Sequence, residues 1–184
     1  SEMCIRDRYR ICSKILGYSE CNLIQVPIYM QFKLVLNDTF DKYNCGEFDK
    51  KENDTISVSK SNFSHETDEV NVMISDTYPL SLSQLPEVKK NLPTLLISRN
   101  NTNDVNRYDS PELVRCVVNE VRSLNNNIKK VNVYATTNPL NTKNIASSAF
   151  KLGGRDNFNE VRVFQQERDG IRNFNNKGIV VYKR

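Results

Sequence analysis

Residues 110–135 read SPELVRCVVNEVRSLNNNIKKVNVYA, and this stretch decides the fold class. Ser110 is a residue type that caps helices, and Pro111 fits the first helical position, where its missing N–H is not needed. Apolar side chains then recur at helical spacing on one face: Leu113, Val117, Val121 and Leu124. An asparagine run ends the helix, and a strand is predicted next, over Ile128–Ala135. The stretch is therefore predicted to be one helix–strand unit.

Segments on both sides of this unit continue the alternation. Strands are predicted at Val70–Ser75, Thr94–Ser98, Glu160–Phe164 and Gly178–Tyr182. A short helix is predicted over Lys143–Leu152, ended by Gly153-Gly154, whereas prolines break residues 80–91 into irregular turns. The order predicts an α/β fold that is Rossmann-like, with a mostly parallel sheet and flanking helices.

The residues before 70 are less regular. Ile11–Leu16 has the pattern of a short helix that stops at Gly17. Leu23–Leu36 is rich in Ile, Val, Phe and Tyr, and is predicted to form a strand or a strand pair. Asn37–Glu69 is dominated by polar residues and is predicted to be a long connector, in which Thr55–Val58 alternates like a short edge strand.

Composition favours a soluble, cytoplasmic protein. The chain has 184 residues, of which 38% are hydrophobic and 24 are Asn. No apolar run approaches the roughly 18–20 residues of a membrane-spanning helix. The five cysteines are widely spaced and the one histidine, His65, lies in an acidic stretch, so neither a disulfide framework nor a metal site is predicted. No cofactor is predicted.

Charge is distributed unevenly along the chain. Residues 38–69 have a balance of −5, whereas residues 89–184 have a balance of +9. The C-terminal part is therefore the better candidate for contact with a polyanion. Because the charges are interspersed, an ordinary solvated surface is the alternative.

The first residues resemble a translated sequencing adapter: Met3-Cys4-Ile5-Arg6-Asp7-Arg8. Val181–Arg184 resembles another reading frame of the same adapter. We therefore expect residues 1–9 to be adapter-derived and the chain to be a piece of a longer protein, with an incomplete domain. The alternative at the start is a genuine basic N-terminus.

Two loops after predicted strands are the candidate ligand site, because open α/β sheets bind ligands at the carboxyl ends of their strands. The first loop contributes Ser75, Asp76 and Thr77. The second precedes a helix predicted to start near Lys143, and it contributes Thr136, Thr137, Asn138 and Asn141. Hydroxyls, amides, a lysine and free helix N–H groups together suit a phosphate or a nucleobase. The alternative is an ordinary polar loop.

One arginine is added to the candidate site, and no catalytic residue is predicted. Arg155 follows Gly153-Gly154 and can reach back towards a ligand, with a surface arginine as the alternative. The sequence has none of the glycine-rich phosphate loops, nucleophile elbows or zinc-protease motifs of known enzymes. Asp76 is a candidate acid–base group without an identifiable partner, so the sequence does not predict an enzyme.

A succession of features after residue 70 carries a family resemblance. A strand with a hydroxyl-bearing loop precedes Leu85-Pro86, and the next strand enters an Asn-rich stretch. The capped helix follows, and a further strand runs into Ala135 and Pro139. A helix with small residues then ends in Gly154-Arg155. From Val70 to about Val180, this succession resembles the C-terminal half of a SAVED domain.

The resemblance implies a sensor. SAVED domains look like two fused CARF-like Rossmann units that sense cyclic oligonucleotides in bacterial antiphage systems of the CBASS and CRISPR type. It implies that residues 10–36 end a first CARF-like half, that 37–69 join the halves and that 70–184 form the second. The implied partners are a cyclic oligonucleotide, an effector domain in the full-length protein and further copies in ligand-induced self-assembly, without membrane contact.

Two other functions remain open from the sequence. One is a fragment of a Rossmann-like nucleotide-processing enzyme or hydrolase, which would need a catalytic partner converging with Asp76. The other is an interaction domain without a small ligand, which would have no pocket at the two loops.

Overall fold

Six strands form the central sheet of the protein, which we describe from a computed structural model over residues 8–100, 107–151, 158–168 and 170–184. In chain order, the strands are β1 (Glu20–Asn22), β2 (Lys42–Asn44), β3 (Ile56–Ser61), β4 (Glu69–Ser75), β5 (Thr94–Arg99), β6 (Lys130–Ala135), β7 (Glu160–Phe164) and β8 (Ile179–Lys183). The sheet order is β3-β5-β4-β6-β7-β8, and β1 and β2 form a separate parallel pair. The helices are α1 (Ile28–Leu36), α2 (Pro111–Arg122) and α3 (Pro139–Ile145).

The centre of the sheet is parallel and its edges are antiparallel. Strands β5, β4, β6 and β7 run in one direction, with β4 paired to both β5 and β6. The edge strands β3 and β8 run in the opposite direction. The predicted α/β, Rossmann-like fold with a mostly parallel sheet is therefore confirmed.

Alternate side chains of the strands fill two apolar clusters on opposite faces. The larger cluster lies under the three helices and includes Val72, Val133 and Val163. The smaller cluster, on the other face, is built on Met73, Tyr134, Phe164 and loop residues. Tyr134 stacks on Phe164 with a centroid distance of 4.6 Å, so this face is closed by aromatic packing.

Helix α2 forms where its sequence predicts. Ser110 is the N-cap, its side chain accepts a hydrogen bond from the backbone N–H of Leu113, and Pro111 occupies the first turn. The predicted face supplies the buried Leu113, Val117 and Val121. A helical turn at Ile11–Ile15 and the turns at Leu82–Gln84 and Glu87–Lys89 also agree with the sequence.

The strand prediction for Leu23–Leu36 is wrong. Residues Leu23–Gln25 form a 3-10 turn, and Ile28–Leu36 form α1, with Pro27 at the N-cap. Seven of the nine side chains of α1 are buried. A helix that is covered on nearly all sides has no polar stripe, so its sequence shows no helical period and resembles an apolar strand.

The second candidate loop is shorter than predicted. Helix α3 begins at Pro139, not near Lys143, and Asn138 caps it by accepting from the backbone N–H of Asn141. The pair Asn138-Pro139 therefore acts as Ser110-Pro111 does for α2. Ala146–Lys151 continues as a π-helical segment, and the predicted stop at Gly153-Gly154 lies outside the described residues.

The predicted connector, Asn37–Glu69, contains two strands. Lys42–Asn44 is β2, and Ile56–Ser61 is β3, which confirms an edge strand near Thr55–Val58. Helix α1 shares the larger apolar cluster with the sheet, so residues before 70 contribute to the same core. The division of the chain at residues 36, 69 and 70 stays a prediction.

A buried polar group at the amino ends of β4 and β6 will be called the amino-end network: Glu69, Asn71, Lys89, Thr94 and Asn132. The Asn71 amide donates to the carbonyl of Lys89 (2.8 Å) and to Thr94 Oγ1 (3.1 Å). The Asn132 amide donates to Asn71 Oδ1 (3.1 Å) and to Glu69 Oε1 (2.8 Å). These bonds cross three strands and hold them in one register.

Candidate functional site

The two predicted loops meet at the point where the strand order reverses. The chain leaves β4 for β5 on one side and returns past β4 to β6, so crevices open beyond the carboxyl ends of β4 and β6. Thr77 donates to the carbonyl of Thr136 from its backbone N (3.1 Å) and from Oγ1 (2.5 Å). Thr136 Oγ1 donates in turn to the carbonyl of Tyr78 (2.8 Å). The loops are thus joined to each other directly.

Asp76 fastens the first loop to the start of α3. Its Oδ2 accepts from the backbone N of Asn138 (3.1 Å) and from the Asn141 amide (2.9 Å). Its Oδ1 accepts from Arg99 Nη1 (2.7 Å), and both side chains are fully buried. Both carboxylate oxygens are therefore engaged in holding structure, which argues against the acid–base role considered from the sequence.

Arg99 lies between two carboxylates. Besides Asp76, it contacts Asp54 through Nε, and Asp54 also accepts from the hydroxyl of Ser110 (2.8 Å). Burial alone would lower the pKa of Arg99, but the hydrogen bonds and charges of Asp76 and Asp54 outweigh it and raise that pKa. Five side chains will be called the carboxyl-end network: Asp54, Asp76, Arg99, Asn138 and Asn141.

The remaining hydroxyls of the predicted site are also bonded within the protein. Ser75 Oγ donates to the carbonyl of Tyr78 (3.0 Å) and accepts from the backbone N of Leu80 (3.1 Å). The hydroxyls of Thr137 and Thr142 are 2.6 Å apart. These residues shape the loops, and a ligand would meet the surface that they support.

Lys143 is not brought to this surface in the part of the chain that the structure describes. Lys143 lies half-buried on α3, where its charge opposes the effect of burial on the pKa of the Cys45 thiol, which is raised overall. Arg155 lies outside the described residues. The structure therefore unites seven of the nine predicted residues and places Lys143 apart from them.

A cleft of about 490 Å³ opens at the carboxyl ends of β4, β6 and β7. Of the predicted residues, Thr77, Thr136 and Thr137 line it. Its other walls carry residues that the sequence reading did not select: Ile28, Tyr78, Gln165, Gln166, Glu167, Arg168 and Arg172. The volume falls in the range of roughly 300–1,000 Å³ typical of small-molecule sites.

One wall of the cleft is a hairpin-like segment that will be called the arm, residues 165–168 and 170–175. The backbone N of Glu167 donates to the carbonyl of Asn173, and that of Asn175 donates to Gln165, both at 2.8 Å. Phe174 anchors the base of the arm in the smaller apolar cluster, 5.1 Å from Tyr134 between ring centroids. The arm therefore extends from a fixed base towards the cleft.

Arg172 is held in a specific conformation at the end of the arm. Its backbone has a φ of +55°, in the left-handed region that a non-glycine residue adopts rarely. Its carbonyl accepts from the side-chain amides of Gln166 (2.9 Å) and Gln84 (3.2 Å). Its guanidinium lies over the ring of Tyr78, 4.1 Å from the centroid, so a planar cation and an aromatic ring stand together at the cleft.

A sequence signal for the missed residues existed. Gln165-Gln166-Glu167-Arg168 directly follows β7, and the rule applied to the loops after β4 and β6 applies equally to this one. Tyr78 lies one residue beyond the selected Thr77. Arg172 had no such signal, because its place depends on the fold of the arm.

Other properties of the described residues limit the chemistry. No group of three His, Cys, Asp or Glu residues in the described ranges is placed to hold a metal ion. Four free thiols are present there, Cys12, Cys21, Cys45 and Cys116. Burial raises the pKa of Cys21 to about 11, which makes its thiolate scarce at neutral pH. In the part of the chain that the structure describes, no helix is long and apolar enough to cross a membrane.

Comparison with known proteins gives one family and one set of solved structures. The profile of a family described as the SMODS- and Ubiquitin system-associated 2TM effector domain (SUa-2TM) matches residues 5–181. No curated protein matches the chain.

Solved structures similar to this chain include three of the Acinetobacter baumannii Cap4 SAVED/CARF-domain containing receptor. Those with the cyclic trinucleotides 3′3′3′-cAAA and 2′3′3′-cAAA each have a TM-score of 0.59 and 10% identity, over 85% of this chain and 37% and 36% of theirs. A third structure of the receptor has a TM-score of 0.53 and 11% identity, over 89% of this chain and 35% of that one. This chain spans little more than a third of the receptor's length. The SAVED/CARF-like fold is confirmed.

Proposed function

Since the chain belongs to the SMODS- and ubiquitin system-associated 2TM effector family, we propose that it is a sensor that binds a cyclic oligonucleotide in the cleft. The observation that carries the proposal is the position of the cleft, at the strand-order reversal of a SAVED/CARF-like sheet. The Cap4 receptor of the same fold has been solved with cyclic trinucleotides.

The chemistry of the cleft supports an anionic, planar ligand. Arg168 and Arg172 supply two guanidinium groups, which match phosphate oxygens in charge and geometry. Tyr78 is 41% exposed and offers an aromatic surface for a base. The hydroxyl-bearing loops beneath them are fixed by the carboxyl-end network, so the cleft is formed before a ligand arrives.

Ligand binding is proposed to act on a separate effector. In the scheme that the SAVED resemblance implies, binding promotes self-assembly and switches on an effector domain of the longer protein, in antiphage defence of the CBASS or CRISPR type. The family that matches residues 5–181 is described as an effector domain, which supports a link between this chain and an effector. The cytoplasmic location and the absence of membrane contact stay predictions. The predicted absence of membrane contact runs counter to the term 2TM in the family's description.

The proposal is tested by titrating the 184-residue chain with cyclic di-, tri- and tetranucleotides in a calorimeter. We expect at least one of them to bind, and Arg172→Ala to weaken its binding about tenfold or more, because a hydrogen bond to a charged group contributes about 1.5–3 kcal/mol. Arg115→Ala, on the exposed side of α2, is the matched control and is expected to change nothing.

The outcomes separate the proposed site from its alternatives. No binding across the panel would contradict the sensor function. Binding that Arg172→Ala leaves unchanged would place the ligand elsewhere, and Lys143→Ala then tests a cation that the sequence does predict. Because Lys143 does not line the cleft, we expect its substitution to leave the affinity unchanged.

A further inference from the structure

Two residues with hydrogen-bond acceptors line the cleft on the arm where it begins after β7. Gln165 and Glu167 both line the cleft, on the same short segment. Their neighbours Arg168 and Arg172 are donors only, so the wall carries acceptors at its base and cations towards its tip. A ligand that satisfies this wall must present a donor at one point and negative charge at another.

Gln165 has an unused acceptor. Within the described residues, its side-chain oxygen Oε1 is buried and has no hydrogen-bond partner. A buried polar atom without a partner is unfavourable, and a ligand donor would remove that penalty. The terminal torsion of a glutamine is broad, so its carboxamide can turn towards the cleft without leaving a rotamer minimum.

Glu167 adds a charge that excludes phosphate from its vicinity. Its carboxylate accepts hydrogen bonds and repels the phosphate oxygens of a nucleotide. Arg168 and Arg172 offer those oxygens a favourable position further along the arm. The base is therefore the part of a nucleotide that would lie against Gln165 and Glu167, and Tyr78 also lines the cleft and offers a ring for stacking.

We infer that the cleft recognises the exocyclic amino group of a nucleobase through Gln165 Oε1 and the Glu167 carboxylate. The inference rests on the proposed function and adds a base preference to it. Adenine and cytosine carry an amino group that donates hydrogen bonds, whereas uracil presents a carbonyl at the corresponding position. A uracil carbonyl facing the Glu167 carboxylate leaves that carboxylate unpaired and is repelled by its charge.

The test compares two ligands that differ in the base alone, 3′3′3′-cAAA and 3′3′3′-cUUU, each titrated into the 184-residue chain. We expect cAAA to bind at least about tenfold more tightly than cUUU, the scale of discrimination that a pair of specific base contacts provides. Cyclic tricytidylate separates amino-group recognition from purine stacking, because cytosine has the amino group without the purine ring. We expect its affinity to be close to that of cAAA.

Variants assign the preference to the two acceptors. Glu167→Gln supplies a donor beside its acceptor, and is expected to reduce the ratio of cUUU to cAAA dissociation constants about tenfold. Gln165→Leu is expected to weaken cAAA and leave cUUU unchanged. Glu87→Gln changes an exposed glutamate outside the cleft and serves as the matched control, with no effect expected.

The result separates this inference from the function on which it rests. Equal affinity for the amino and uracil ligands, or a preference that neither variant changes, overturns the inference and leaves the sensor function intact. Absence of binding to every cyclic oligonucleotide overturns both. Circular dichroism of each variant shows whether it is folded, and a variant that fails to fold is replaced by Gln165→Glu, which keeps the acceptor and is expected to retain the preference.

Discussion

Strands β4 and β6 carry the amino-end network at one end and the carboxyl-end network at the other. The two networks are similar in composition, but they have different effects on the structure around them. Each is built from asparagines and carboxylates with one cation, and each joins neighbouring strands or the loops that follow them. In the described residues, no side-chain atom of the amino-end network is buried without a partner, whereas Arg99 Nη2 is such an atom in the carboxyl-end network. The amino-end network therefore satisfies its buried side-chain atoms internally, whereas the carboxyl-end network supports a cleft.

The difference separates two uses of buried polarity. At the amino end, the hydrogen bonds hold three strands in one register. At the carboxyl end, comparable bonds hold two loops and a helix start in place, and a surface results that is open on one side. Substitutions at the two ends should therefore separate stability from ligand binding.

The largest effect is expected from Asp76→Ala. Removing this carboxylate leaves the buried Arg99 without its partner at 2.7 Å and frees the cap region of α3. The loss of one partner of a buried ion pair typically costs about 3–5 kcal/mol. Urea unfolding followed by circular dichroism measures it, and the ligand affinity of any folded fraction should fall as well.

The matched control for that variant is Asp68→Ala. Its carboxylate is 61% exposed and 3.8 Å from Lys130, so the expected loss is below about 1 kcal/mol. If the two variants unfold at the same urea concentration, the hydrogen bonds of Asp76 do not stabilise the fold as we expect.

A smaller effect, confined to stability, is expected from Asn71→Leu. The substitution removes both the donors to Lys89 and Thr94 and the acceptor for Asn132. Unpaired buried groups cost about 1–3 kcal/mol, and the free energy of unfolding should drop by that amount. The affinity for 3′3′3′-cAAA should stay unchanged, and a tenfold loss of affinity would show that the two ends are not independent.

The smallest effect is a pH dependence at the amino end. Burial would raise the pKa of Glu69, but hydrogen bonds from Lys89 and Asn132, with the charges of Lys89 and Lys130, hold it below its ordinary value of 4.5. A carboxylate with a lowered pKa stabilises the folded state above its unfolded pKa, and the contribution is lost as the pH falls through the folded one.

That dependence is measured with Glu69→Gln as the reference. The difference in free energy of unfolding between the native chain and Glu69→Gln should be constant near neutral pH and shrink below about pH 4.5. A difference that does not change between pH 7 and pH 3 would show that the charge of Glu69 contributes nothing to stability.

The sequence predicted the elements whose periodicity is visible. Helix α2 has a cap, a proline and one apolar face, and the parallel strands have short apolar runs between polar segments. Helix α1 could not be predicted in the same way, since it is buried on most sides and carries no alternation. Helix α3 starts before its predicted position because Asn138-Pro139, a pair that is also common in loops, caps it.

The residues of the candidate site that lie at strand ends could be predicted from the sequence. The residues that tertiary contacts bring to the site could not. Asp76 and Thr136 directly follow β4 and β6, and the backbone N of Asp76 donates to Thr136 Oγ1. Ser75 ends β4, and its hydroxyl donates to the carbonyl of Tyr78, as that of Thr136 does. The inward orientation of Asp76 could not be predicted, because it depends on Arg99 at the end of β5. Arg172 reaches Tyr78 only because Gln84 and Gln166 bind its carbonyl. No local pattern encodes such a contact.

The reversal of strand order also sets when the cleft can exist during synthesis. Tyr78 and Thr136 are separated by 58 residues, and Asp76 and Asn141 by 65. At about 5–20 residues per second, a ribosome takes about 3–12 s to add the 58 residues that separate the first pair. Contacts at such separation form late and slow the folding of a domain. The cleft therefore forms only after the lining residues up to Arg172 have been synthesised.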